Sequence, residues 1–142
     1  MNGPALDARG DAVVVAWYTA AGDVPAVRVA ASADGGARFA APVQVDAGEA
    51  VLGRVAIALG RDDDAWVAWL REDAAGQSLR LVRFDRAAGA LHDATAVGTL
   101  AGRGRGTGFP QVALSRGGVH VVWTEVVAGR PRLRGAVVPT AR

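Results

Sequence analysis

A tryptophan closing a run of small and branched apolar residues occurs three times in this chain, in Val13-Val14-Val15-Ala16-Trp17, Ala65-Trp66-Val67-Ala68-Trp69 and Val119-His120-Val121-Val122-Trp123. The marker tryptophans stand 52 and 54 residues apart. A fixed period of about fifty residues is the mark of a repeat architecture, in which no unit buries its apolar face alone and each stacks on its neighbour. The whole of 1–142 then reads as a single segment made of repeats 1–50, 51–101 and 102–142.

Within each repeat the apolar residues alternate over short runs bounded by turn residues, which is the pattern of strands. The first repeat predicts strands over Gly3–Asp7, Ala12–Tyr18, Ala26–Ser32 and Arg38–Asp46, and the second over Arg54–Gly60, Ala65–Arg71, Ser78–Phe84 and Ala90–Gly98. The gaps carry turn chemistry, as in Arg61-Asp62-Asp63-Asp64 and Asp85-Arg86-Ala87-Ala88-Gly89. The third repeat predicts Gly108–Leu114, Val119–Glu125 and Leu133–Val138, one strand fewer. Four-stranded antiparallel repeats of this length are propeller blades. The expected fold is therefore all-β, a β-propeller segment of about three four-stranded blades with the last incomplete. A sandwich or jelly roll also uses short strands and frequent turns, but gives no reason for Trp17, Trp69 and Trp123 to recur in one context.

Composition excludes several function classes. An apolar content of 51% with 21% charged residues belongs to a folded chain. The isoelectric point near 10.3 suggests nucleic acid. Yet the formal charge is only +2, aspartates interleave with the arginines, and no basic stripe with spaced aromatics is present. All 16 basic residues are arginine, a chain-wide bias that gives single arginines little weight. With no cysteine there is no disulfide, thiolate metal site or cysteine nucleophile. The start, Met1-Asn2-Gly3-Pro4, has neither the basic nor the apolar region of a signal peptide, and no apolar run is long enough to span a bilayer.

Asp62-Asp63-Asp64 lacks the spaced ligands and closing glutamate of a calcium loop, and His92 and His120 stand without a zinc motif. Gly102-Arg103-Gly104-Arg105-Gly106 lacks the strand-to-helix setting of a phosphate loop. No metal and no cofactor is expected.

Between the third and fourth predicted strands of the first repeat lies Ser32-Ala33-Asp34-Gly35-Gly36-Ala37-Arg38-Phe39. It fits Ser-x-Asp-x-Gly-x-x-aromatic: a tight hairpin in which the Asp34 carboxylate accepts N–H groups of its own turn, Gly36 supplies a positive φ and Phe39 packs beneath. A Ser32–Asp34 catalytic pair is the other reading, but no histidine lies nearby. The octapeptide resembles the Asp-box, or BNR repeat, of sialidase-like propellers. The blade openings Asn2-Gly3-Pro4-Ala5-Leu6, Leu52-Gly53-Arg54-Val55-Ala56 and Thr107-Gly108-Phe109-Pro110-Gln111 extend the resemblance over the chain, which looks like the C-terminal three blades of a bacterial exo-sialidase-like protein. In the second repeat Phe84-Asp85-Arg86-Ala87-Ala88-Gly89 is only a remnant of the box.

The resemblance implies a six-bladed ring, a periplasmic or extracellular location and carbohydrate as a ligand. A sialidase would add an arginine triad, a tyrosine–glutamate nucleophile pair and an aspartate acid/base. Blade geometry sets the start of the first strand and the loop after the second on one face, with the Asp-box on the other. Tyr18, Arg54, Arg71, Glu72, Asp73 and Glu125, with Arg103 and Arg105 from the loop entering the third repeat, are the candidates for that ligand face. No catalytic residue is assigned, since Tyr18 is the only tyrosine and caps a strand. The expectation is a non-catalytic scaffold or binding module. The alternatives are part of a glycoside hydrolase completed elsewhere, or a propeller that contacts protein through its blade-edge loops. Three blades are fewer than a ring needs, so the open flanks call for a cover: a second copy in a homodimer, or association with further blades.

Overall fold

The computed structural model describes residues 2–102 and 106–140. It is all-β. Eleven strands follow one another: β1 (Ala5–Arg9), β2 (Ala12–Thr19), β3 (Ala26–Ser32), β4 (Val43–Ala47), β5 (Val51–Leu59), β6 (Asp64–Asp73), β7 (Gly76–Asp85), β8 (Ala90–Leu100), β9 (Gly108–Ser115), β10 (Gly118–Val127) and β11 (Arg130–Val138). They form three antiparallel meanders, sheet 1 (β1-β2-β3-β4), sheet 2 (β5-β6-β7-β8) and sheet 3 (β9-β10-β11). Pro110 and Pro131 fall on the edge strands β9 and β11, where a missing N–H is tolerated.

The sheets stack face to face with sheet 2 in the middle. Alternation along β6 shows how: Ala65, Val67 and Trp69 join Val14, Ala16, Val27 and Val29 of sheet 1 in one core. Trp66, Ala68 and Leu70 point the other way and join Val119, Val121 and Trp123 of sheet 3 in a second core. This is why β6 reads as a nearly continuous apolar run: both of its faces are covered. Leu70, Leu79 and Leu81 are fully buried, and each such side chain contributes about 1.5–3 kcal/mol.

The first strands also touch one another. Asp7 Oδ2 of β1 accepts the Leu59 N–H of β5 at 2.8 Å, and the Arg9 guanidinium donates to the Gly60 and Leu59 carbonyls at 2.6 and 3.1 Å.

Two expectations from sequence change. The fourth strand of sheet 1, expected over Arg38–Asp46, begins only at Val43, because residues 38–42 complete the hairpin loop after β3. Phe39, expected beneath that loop, is 43% exposed.

Candidate functional site

The two ends of the sheet stack differ. At one end lie the turn between β1 and β2 and the loop between β3 and β4. There the Ser32 hydroxyl donates to Asp34 Oδ1 at 2.8 Å and accepts the N–H groups of Asp34 and Gly36 at 3.3 and 3.0 Å. Asp34 Oδ1 also accepts the Arg38 N–H at 2.9 Å. Gly36 has φ +91°, a conformation that L side chains rarely adopt. The Arg38 N–H, followed by the Ser32 hydroxyl, holds the Asp34 carboxyl below its ordinary pKa. The Gly35 N–H donates to the Asp11 carbonyl at 2.9 Å, tying this loop to the β1–β2 turn. Every polar atom named here is used to shape a hairpin.

The corresponding turn of sheet 2 is simpler. Asp85 Oδ1 accepts the Ala88 N–H at 3.0 Å, and Arg86 pairs with Asp63 at 3.1 Å. The two hairpins flank a cleft of about 530 Å³ lined by Ser32, Asp34, Phe39, Asp63 and Arg86 among others.

At the opposite end lie the candidates for a ligand face, and the structure distributes them over separate places. Tyr18 packs into the core between sheets 1 and 2. A Cβ on Gly53 would stand 2.7 Å from Tyr18 Cδ2, so glycine is what lets β5 pass the ring. Asn2, the first residue of the first blade opening, ties the same spot: its amide donates to the Leu52 carbonyl at 3.0 Å and its carbonyl accepts the Arg54 N–H at 2.5 Å.

Arg54 and Glu72 lie on the other side of sheet 2, against sheet 3. The Arg54 guanidinium donates to the Thr107 carbonyl and sits 4.7 Å above the Phe109 ring. Burial lowers its pKa, and the nearby Glu72 charge opposes that shift. Glu72 Oε1 accepts from the buried Gln77 amide at 3.1 Å, and Gln77 Oε1 accepts from the fully buried Thr107 hydroxyl at 2.6 Å. Gln77 and Thr107 complete this chain of contacts; Thr107 stood in the sequence only as the first residue of a blade opening, and no motif marked Gln77.

Arg71 points the opposite way from Glu72, as strand alternation requires. Its Nε lies 3.0 Å from Asp46 Oδ2, an ion contact without the alignment of a hydrogen bond. The same Asp46 oxygen accepts the Trp69 indole N–H at 2.8 Å. Asp46, Trp69 and Arg71 line a cleft of about 440 Å³ together with Arg80 and His92. Glu125, 3% exposed, is enclosed between sheets 2 and 3, where it accepts from the Ala101 N–H and the Arg134 guanidinium, both at 3.4 Å. Asp73 accepts the Ala75 N–H at 2.9 Å in the turn after β6. Arg103 and Arg105 lie outside the described residues.

The described candidates therefore do not converge. Each of these is engaged where two sheets meet or where a strand turns. Among the described residues no group of three His, Asp or Glu side chains gathers to hold a metal ion, and no helix is long and apolar enough to cross a membrane. Asp64 stands apart: burial, with Asp62 adding repulsion, raises its pKa in the cleft between sheets 2 and 3.

Comparison of the chain with protein-family models, curated proteins and solved structures finds no match.

Proposed function

We propose that this chain is a segment of a sialidase-like β-propeller serving as a non-catalytic binding or scaffold module, with carbohydrate as its ligand class and a place in the periplasm or outside the cell. The observation that carries the reading is how the candidate side chains are used. Arg54 is taken up by the Thr107 carbonyl and Phe109, Glu72 by Gln77, and Glu125 by Ala101 and Arg134. A retaining sialidase needs a tyrosine activated by a neighbouring glutamate. Here Tyr18 packs on one side of sheet 2 and Glu72 lies on the other, with the sheet between them.

The family part of the proposal is supported by the Ser32–Asp34–Gly36 hairpin, whose hydrogen bonds explain three motif positions at once. The compartment and the ligand class rest on the resemblance alone. The test is a fluorogenic sialoside together with an array of immobilised oligosaccharides. The expected result is no turnover above the solvent rate and retention on a subset of glycans. Turnover that Tyr18→Phe abolishes would overturn the non-catalytic reading, and an array without any retention would remove carbohydrate as the ligand class.

A further inference from the structure

The marker tryptophan of each repeat has a defined direction. Trp69 of sheet 2 packs on the face of sheet 1 and is 4% exposed; Trp123 of sheet 3 packs on the face of sheet 2 and is 2% exposed. Each sheet thus turns its tryptophan toward the sheet before it. Trp17 occupies the same position in sheet 1, alternating with the buried Val14 and Ala16, and is only half-buried. Val13 and Val15 share its face, and so does Leu6, the register partner of Val15, which is 65% exposed.

At the far end of the stack, sheet 3 carries a bare receiving face. Val119, Val121 and Trp123 point toward sheet 2, so Val122 points outward. Register places Leu133 opposite Thr124 and Val137 opposite His120, on that same outward face. Val122, Leu133 and Val137 are 38%, 72% and 51% exposed. The face has the place in sheet 3 that Ala68 and Leu70 have in sheet 2, where they share a core with Trp123.

We infer that the outward face of sheet 3 receives the Trp17 face of a second copy of this chain, so that two chains stack head to tail and close one ring of six sheets. The contact that joins sheet 1 to sheet 2, and sheet 2 to sheet 3, is then repeated once more between chains. Its two halves are both present and both open on one molecule. Two three-sheet chains supply six sheets, a number within the about four to eight blades with which propellers close. The ring has a two-fold axis, so both seams between chains are identical. Sheet 3 offers three strands where sheets 1 and 2 offer four, and Leu133 of β11 therefore lies at the margin of the seam. The open edge of β11 carries Pro131 with Arg130, Arg132 and Arg134, a composition that discourages pairing with a stray strand.

This inference rests on the blade reading of the previous section, and its test is independent of any ligand. Light scattering of the purified chain is expected to give twice the 14.5 kDa chain mass, and Val122→Glu with Leu133→Glu to halve it while the strand signal in circular dichroism is kept. The chain has no cysteine, so single cysteines report cleanly. A Val15→Cys preparation mixed with a Leu133→Cys preparation is expected to form the mixed disulfide on oxidation. A monomer, an open-ended polymer, or disulfides formed only between like variants would overturn the inference. A monomer that binds glycans without turnover would remove the dimer and leave the module reading standing.

Discussion

The seam between sheets 1 and 2 and the seam between sheets 2 and 3 are built around the same tryptophan position, but their polar groups are treated differently. In the first, the Trp69 indole N–H is satisfied by Asp46, which also faces Arg71. In the second, the indole N–H groups of Trp66 and Trp123 are buried with no hydrogen-bond partner among the described residues. A Cβ on Gly98 would stand 3.0 Å from Trp123 Cζ2, so that ring gains its fit from close approach of β8. Asp64, at the margin of the second seam, has its ionisation opposed by burial. The repeat thus preserves the shape of the seam and leaves its hydrogen bonding to local residues. Packing area is the larger share of the stabilisation, and a polar partner adds a smaller one.

Removing the rings tests the shared part. Trp69→Ala and Trp123→Ala are each expected to cost about 3–5 kcal/mol in urea unfolding, since both rings are almost wholly buried. A loss below 1 kcal/mol at either position would break the equivalence of the two seams. Phenylalanine sharpens the contrast. Trp69→Phe gives up a hydrogen bond to a carboxylate, a group of interactions that contributes about 1.5–3 kcal/mol, and Trp123→Phe gives up none. Both variants lose similar volume, so the difference isolates the polar term, and equal losses would refute it.

The smallest expected effect concerns Asp64 and carries a pH signature. An acid whose folded-state pKa is raised opposes folding once it ionises. The penalty is absent below the ordinary aspartate pKa of about 3.9, grows between that value and the raised one, and is constant above it. Asp64→Asn is therefore expected to melt higher than the parent at pH 7 and together with it at pH 3. The gain is a few tenths of a kcal/mol, about what a partly solvent-screened group allows. A gain that is the same at both pH values would assign the effect to something other than charge.

The strands were legible because most alternate, β6 reads as a short apolar run bounded by turns, and the turns carry Gly or Asp. The exception, the start of β4, misled because Phe39, Ala40 and Ala41 form an apolar run that reads as strand while it serves the hairpin. The site was legible only as an end of the stack. Which side of a sheet a residue takes depends on parity and on bulges. Parity separates Arg71, beside Trp69, from Glu72, beside Leu70, and is readable once the tryptophans are aligned. The bulges are not. β5 shifts register on either side of Gly53, and Arg54 adopts φ +50°, which aims its guanidinium at Thr107. Gln77 and Thr107 matter only because two distant turns meet, a long-range fact with no local signal.

The most direct test of the claim that these side chains hold the fold, and do not form a catalytic site, is the stability of Glu72→Ala. Active-site groups are commonly held at some expense to stability, so that removing one tends to raise it. The buried Gln77 amide depends on Glu72 as its acceptor. Losing it is expected to lower the unfolding free energy by about 1–3 kcal/mol. Unchanged or higher stability in the Glu72→Ala chain would contradict the account and return Glu72 to the set of residues held ready for a ligand.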